Sequence, residues 1–293
     1  MAVTLEEKID SIGQLLDEAD LSFGQGVDNP WDEAVWLVIT AVGLSFSEPI
    51  TQWEMELNGA QVKAVDELTQ KRIDTRKPLA YLTNEAWFVG LRFYVDERVL
   101  IPRSFLGEWI LDGFEPWVDS SSVSNVLDLC TGSACIAIAC GTFFDQANLV
   151  ASDMSEAALE VAKKNIEAHG LEDRIRLNHG DLFDGIDQQF DLILCNPPYV
   201  SDERMDRLPQ EFLFEPDLAL RSGSAGLDFI HRLFAEAAEY LTKDGYLLLE
   251  AGSASHALET AYPSIPFTWL STQYDEQVVL LLSADEIRRY FSH

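Results

Sequence analysis

The stretch Asp191-Leu192-Ile193-Leu194-Cys195-Asn196-Pro197-Pro198-Tyr199 runs from an apolar β-strand pattern directly into a polar amide, two prolines and an aromatic ring. Pro197 pushes Asn196 out of the helical region and neither proline carries an N–H, so the strand ends in a stiff turn whose carbonyls lack their usual local partners. The Asn196 side-chain oxygen and the Pro197 carbonyl are then free to accept from one planar NH2 group, with Tyr199 placed to stack on its face. A turn of this kind belongs at the carboxyl edge of an open α/β sheet, where such sheets bind their ligands.

Strands and helices alternate on both sides of this segment. Strands are expected at 125–129, 149–153, 175–177, 190–195 and 246–250, and helices from about Ala134, at 155–169 and at 229–241. That alternation means a parallel sheet covered on both faces. The last apolar runs, 267–270 and 278–282, are joined by too little chain for a crossover helix and are expected to pair antiparallel, giving a mixed seven-stranded sheet. Upstream the pattern is helical. Thr4 and Glu7 form a capping box ahead of Leu5, Ile9, Ile12, Leu15 and Leu16, and Asn29-Pro30 opens a helix with Ala34, Val35, Leu37 and Val38 on one face. A third helix, centred on Val62, Val65 and Leu68, ends before Pro78. Between the two regions lie short β-rich runs, Trp87-Phe88-Val89 and Arg92-Phe93-Tyr94-Val95 around Gly90, then Val99-Leu100-Ile101. The expected organisation is a small helical domain over residues 1–84, a β-hairpin linker over 85–102 and an α/β domain over 103–293.

Two upstream signals suit a nucleoside-type cofactor. Asp128-Leu129-Cys130-Thr131-Gly132-Ser133-Ala134 is a strand running into a small-residue turn and a helix N-terminus, which lets a ligand approach the backbone. Asp153 ends the following strand, placed to accept from two ribose hydroxyls, although it equally suits a helix N-terminal charge. Together with the Asn196 turn these features point to methylation of an amide or amine nitrogen. An amide nitrogen is a poor nucleophile, so it must be polarised and aimed, which two acceptors and an aromatic floor can do.

On these residues the chain resembles the protein glutamine N(5)-methyltransferases of the class I S-adenosylmethionine-dependent superfamily, which have a Rossmann-like fold. The likeness runs through Asp28-Asn29-Pro30-Trp31-Asp32-Glu33-Ala34, Ala80-Tyr81-Leu82-Thr83-Asn84, residues 93–104 and the Asn196 to Tyr199 tetrapeptide. The resemblance implies that Cys130, Thr131, Gly132, Ser133 and Ala134 cradle the methionine part of the cofactor, with Asp128 at the head of their loop. It implies that Asp153 holds the ribose and Leu182 the adenine, with Asp128, Asp181 and Asn196 also among the cofactor-binding residues. Asn196, Pro197, Pro198 and Tyr199 then hold a glutamine side chain, with Asn196, Pro197 and Tyr199 as the candidate catalytic residues. Within the family, the branch acting on peptide-chain release factors usually carries Pro-Glu-Thr-Glu after Ile-Pro-Arg. Here the chain reads Ser104-Phe105-Leu106-Gly107-Glu108, which favours the branch acting on the large-subunit ribosomal protein L3. Ala134 stands where a second glycine is common, and its methyl is expected to crowd the cofactor.

The composition limits the partners. Fifty acidic against 20 basic residues give a formal net charge of −30, which opposes attraction to nucleic-acid phosphates and suits a basic protein. DNA adenine methylation, which uses the same turn on a flipped base, is thereby disfavoured. A non-catalytic assembly factor is a further alternative. Cys130, Cys135, Cys140 and Cys195 lack paired spacing and are expected to be reduced core thiols. His169, His179, His231, His256 and His293 show no ligand spacing, so no metal is expected. The start from Met1 to Lys8 carries no export signal, and no run of roughly 18 apolar residues is present, so a cytoplasmic protein is expected.

Overall fold

The computed structural model describes residues 3–45, 51–273 and 277–291; Met1, Ala2 and His293 lie outside the described residues. The Thr4–Glu7 capping box opens α1 (Leu5–Glu18), and Asn29 caps α2 (Pro30–Val42) with proline in its first turn. The short strands β1 (Val3–Thr4) and β2 (Glu56–Leu57) pair antiparallel. A second capping box, between Asn58 and Gln61, opens α3 (Gly59–Thr75), and α4 (Leu79–Thr83) follows. Leu5, Ile9, Ile12 and Leu16 meet Ala34, Leu37, Val38 and Val65 in one buried cluster. Inside this apolar packing Arg72 Nε donates to Glu33 Oε1 at 2.6 Å, and both side chains are 5% exposed or less.

Strands β3 (Ala86–Phe88) and β4 (Leu91–Phe93) form the hairpin, turning through Val89 and Gly90. Val99-Leu100-Ile101, expected as a third β-rich run, is not a strand. Its backbone groups are taken by side chains: the Tyr81 hydroxyl donates to the Val99 carbonyl and the Ile101 N–H donates to Glu215. A segment satisfied in this way has no ladder left to offer.

After α5 (Leu106–Leu111) come β5 (Asn125–Leu129), α6 (Cys135–Phe143), β6 (Asn148–Asp153), α7 (Glu156–Ala168), β7 (Ile175–His179) and β8 (Phe190–Cys195). A long connection containing α8 (Asp202–Met205) leads to α9 (Asp228–Tyr240), β9 (Leu241–Glu250), α10 (Ser255–Ala261), β10 (Thr268–Leu270), β11 (Val279–Ser283) and α11 (Ala284–Phe291). The seven-stranded sheet has the order β10-β11-β9-β8-β5-β6-β7, with β10, β11 and β9 antiparallel and the rest parallel. Alternate residues feed its two faces, as a period of two requires. Val126, Leu192, Leu194 and Leu248 join the cluster under α6 and α7, which is continuous with the core of the N-terminal helices. Leu127, Ile193, Leu247 and Leu249 pack instead with α9 and α11. Among the described residues no helix is long and apolar enough to cross a membrane.

Candidate active site

Strand register assembles the site. Leu129 of β5 lies beside Ser152 of β6 and Cys195 of β8, and Cys195 lies beside Leu249 of β9. The next residue on each strand lies at the sheet's carboxyl edge, Asp153 and Glu250 as the last paired residues of β6 and β9 and Cys130 and Asn196 just beyond β5 and β8, which lines up Glu250, Asn196, Cys130 and Asp153. The chain runs away from β5 to β7 before returning to β8, so this row crosses the reversal of strand order, where an open α/β sheet has its crevice. A cavity of about 340 Å³ opens there, and small-molecule sites run from roughly 300 to 1,000 Å³.

Cys130, Thr131, Gly132 and Ser133 line this cavity, as do Asp153, Asp181, Leu182 and Asn196. Cys130 is thus only half-buried, whereas Cys135, Cys140 and Cys195 are buried as core thiols. The turn from β5 to α6 is tight because Cys130, Gly132 and Ala134 all take positive φ. A Cβ built on Gly132 meets nothing within 4 Å, so the backbone is bare there, as close approach of a ligand requires. Ala134 is fully buried in the core and does not itself line the cavity. Its left-handed backbone costs about 1 kcal/mol.

Asp128 is also absent from the wall. Its Oδ2 accepts from Thr131 Oγ1 at 2.5 Å and from the Ala137 N–H at 3.1 Å, while Oδ1 has no partner. Burial pushes its carboxyl up to about 7. Asp128 therefore braces the loop. Asn165 of α7, which sequence patterning missed, does the same from the other side by donating to the Ser133 and Tyr94 carbonyls at 2.9 and 3.0 Å. Its only signal was a buried amide on an otherwise apolar helix face.

Asp153 accepts the Gly132 N–H on Oδ2 and the Ser155 N–H on Oδ1, both at 2.9 Å. It serves the helix start and the loop together, and each oxygen keeps a lone pair for a further donor. Burial raises its pKa. Leu182 is held at φ +52 and Asp181 pairs with Arg232 at 2.7 Å.

Asn196 and Pro198 line the cavity, and the Asn196 amide makes no side-chain hydrogen bond among the described residues. Pro197 is buried beneath them. Tyr199 stands behind the wall rather than in it: its hydroxyl donates to Glu250 Oε1 at 3.2 Å, and a Cβ on Gly252 would come within 2.6 Å of its ring. The aromatic ring thus buttresses the turn in this arrangement instead of providing an open floor. The opposite rim comes from the connection between β8 and α9, where Pro216 and Leu218 line the cavity. The fully buried Glu215 holds that rim by accepting from both Arg103 guanidinium ends at 2.5 and 2.8 Å, from the Ile101 N–H and from Gln25. Glu211, also fully buried, accepts from Arg76 at 2.6 Å and from the Ser22 N–H at 3.0 Å.

The family model of the methyltransferase small domain matches residues 116–227. A ribosomal protein uL3 glutamine methyltransferase of Francisella tularensis is 44% identical over 92% of this chain and 86% of its own length. Proteins of the same name from Neisseria meningitidis and Burkholderia pseudomallei are 45% and 42% identical, each over 92% of this chain and covering 89% and 91% of their own lengths. The chain belongs to the ribosomal protein uL3 glutamine methyltransferase family. The fold of this family member also matches the crystal structure of the hMettl16 catalytic domain in complex with a MAT2A 3'UTR hairpin. That match has a TM-score of 0.50 and 18% identity over 76% of this chain and 81% of that one, a likeness of fold alone. As a uL3 glutamine methyltransferase family member the chain is an enzyme of methyl transfer, and the row at the carboxyl edge of its sheet is its candidate active site.

Proposed function

We propose that this enzyme transfers a methyl group from S-adenosylmethionine to the side-chain amide nitrogen of a glutamine in ribosomal protein uL3. The observation that carries this reading is the uncommitted Asn196 amide, one strand from Cys130 and two from Asp153, on the wall of one cavity. The cofactor supplies a methyl group on a sulfonium, a strong electrophile. The bare backbone at Gly132 and the remaining lone pairs of Asp153 fit its polar end and its ribose. Asn196 Oδ1 and the Pro197 carbonyl accept from the substrate NH2, hold it in plane and aim its lone pair. No strong general base is needed, because the methylated nitrogen becomes acidic and releases its proton to water. Residues 1–84 serve as the recognition region for the protein substrate, and the enzyme works in the cytoplasm without direct DNA binding. Incubating the enzyme and labelled methyl donor with a lysate from cells lacking it, then identifying the labelled band by mass spectrometry, tests the assignment. Label on a protein other than uL3, or on a residue other than glutamine, overturns it.

Asp153→Ala is expected to weaken cofactor binding by about 1.5–3 kcal/mol, the scale for removing a charged hydrogen-bond partner. Calorimetry on the folded variant checks this, and unchanged affinity reassigns Asp153 to helix capping.

The net charge of −30 makes a free basic ribosomal protein attractive over long range, and a particle with exposed RNA phosphates repulsive. Screening over ~8–10 Å at physiological ionic strength means that salt should lower the association rate more than it raises the dissociation rate. Free uL3 or an early assembly intermediate is therefore expected to be methylated faster than the finished subunit. Stopped-flow association over a salt series, with methylation assays on both forms, measures this; a salt-insensitive rate reduces the acidic excess to a solubility feature.

A further inference from the structure

Glu250 is the one member of the edge row that cofactor and substrate holding leave unused. It is 2% exposed and ties three separate segments together. Its Oε2 accepts from Ser104 Oγ at 2.6 Å and from the Phe105 N–H at 2.9 Å, and its Oε1 accepts from the Tyr199 hydroxyl at 3.2 Å. Ser104 in turn lines the same cavity as Asn196 and accepts from the Leu106 N–H at the start of α5. Gly252 leaves the Tyr199 ring no room to swing back, and a Cβ on Gly226 would meet the Tyr199 carbonyl at 2.3 Å. Gly252 therefore packs against the ring and Gly226 against the backbone of Tyr199, with the hydroxyl as a further handle.

We propose that Glu250 is a positioning residue for methyl transfer: through the Tyr199 hydroxyl it fixes the Asn196-Pro197-Pro198-Tyr199 turn, and through Ser104 and Phe105 it ties that turn to the cavity-lining segment ahead of α5. This inference rests on the reading that the turn holds the methyl acceptor. Burial raises the Glu250 pKa and pushes the Tyr199 hydroxyl up as well, so the phenol remains a donor. Position rather than charge is the active quantity. Glutamine is nearly the same shape and can accept from Ser104 and Phe105 through its oxygen while its NH2 donates to the Tyr199 oxygen.

Steady-state kinetics with purified uL3 and S-adenosylmethionine, together with calorimetric cofactor affinities, test the proposal. Glu250→Ala and Tyr199→Phe should each lower kcat by roughly 10- to 100-fold, the scale of a small misplacement of reacting groups, with cofactor Kd little changed. Glu250→Gln should return kcat to within about fivefold of the parent, and the Glu250→Ala, Tyr199→Phe double variant should be no slower than Glu250→Ala alone. A Gln variant as slow as the Ala variant, multiplicative effects in the double variant, or a parallel loss of cofactor affinity each overturn the proposal. If Glu250→Ala does not fold, Tyr199→Phe and Ser104→Ala carry the same test, and wild-type kcat in both refutes it. Asn196→Ala separates the two levels: an inactive Asn196→Ala beside fully active Glu250 and Tyr199 variants defeats this inference alone, whereas an active Asn196→Ala defeats the reading beneath it.

Discussion

Replacing Asn196 by alanine is expected to lower kcat on uL3 by about 100- to 1,000-fold, or ~2.7–4 kcal/mol of transition-state stabilisation. The substitution removes an acceptor already aimed at the cavity and unspent on the protein itself, so folding loses no hydrogen bond. The amide positions the nucleophile rather than the cofactor, so cofactor Kd should stay within about twofold, and the loss should appear in kcat at saturating substrate. Single-turnover methylation on preformed enzyme–cofactor complex isolates that step. Wild-type turnover in the variant removes the tetrapeptide from the mechanism.

The second large effect concerns stability. Glu33 and Arg72 form an ion pair almost wholly enclosed by the N-terminal helices, and one Arg72 nitrogen already lacks a partner. Removing one member of such a pair costs about 3–5 kcal/mol, because the other is left as an uncompensated buried charge. The two deletions should nevertheless differ. Burial outweighs the pull of Arg72 and raises the Glu33 pKa, so Arg72→Leu leaves a carboxyl that can take up a proton. Glu33→Ala leaves a guanidinium that cannot shed its charge. Glu33→Ala is therefore expected to lower the denaturation midpoint more than Arg72→Leu, and the Glu33→Leu, Arg72→Leu double variant to recover most of the loss. Urea unfolding of the three variants at constant pH decides the order; equal losses show that charge burial is not what sets the cost.

What could be read from the chain depended on how local the cause was. Capping at Thr4, Asn29 and Ser155 is settled within four residues, and the structure places those helix starts where the side chains dictate. The apolar run ending at Asn196 likewise declares a buried parallel strand and its edge. By contrast Val99-Leu100-Ile101 looks like a strand by residue type and is not one, because its partners, Tyr81 and Glu215, sit 18 and 114 residues away. Asn165 was illegible for the same reason: a buried amide reveals nothing until the groups it bridges are in place. Helix α11 was a missed local signal, since Ser283 and Glu286 form a reciprocal cap in plain view after an apolar strand.

The anchoring of the β8–α9 connection limits how this enzyme can be recombined. Exchanging residues 1–84 for those of a relative to redirect it toward another protein would discard Gln25 and Arg76, leaving the enclosed Glu211 without its guanidinium partner and Glu215 without one of its donors, though Arg103 and Ile101 stay in place. A working chimera must therefore carry the stretch around 211–216 along with the transplanted helices, as a discontinuous graft. The natural unit of exchange is two pieces of chain, one from each side of the sheet's first strand.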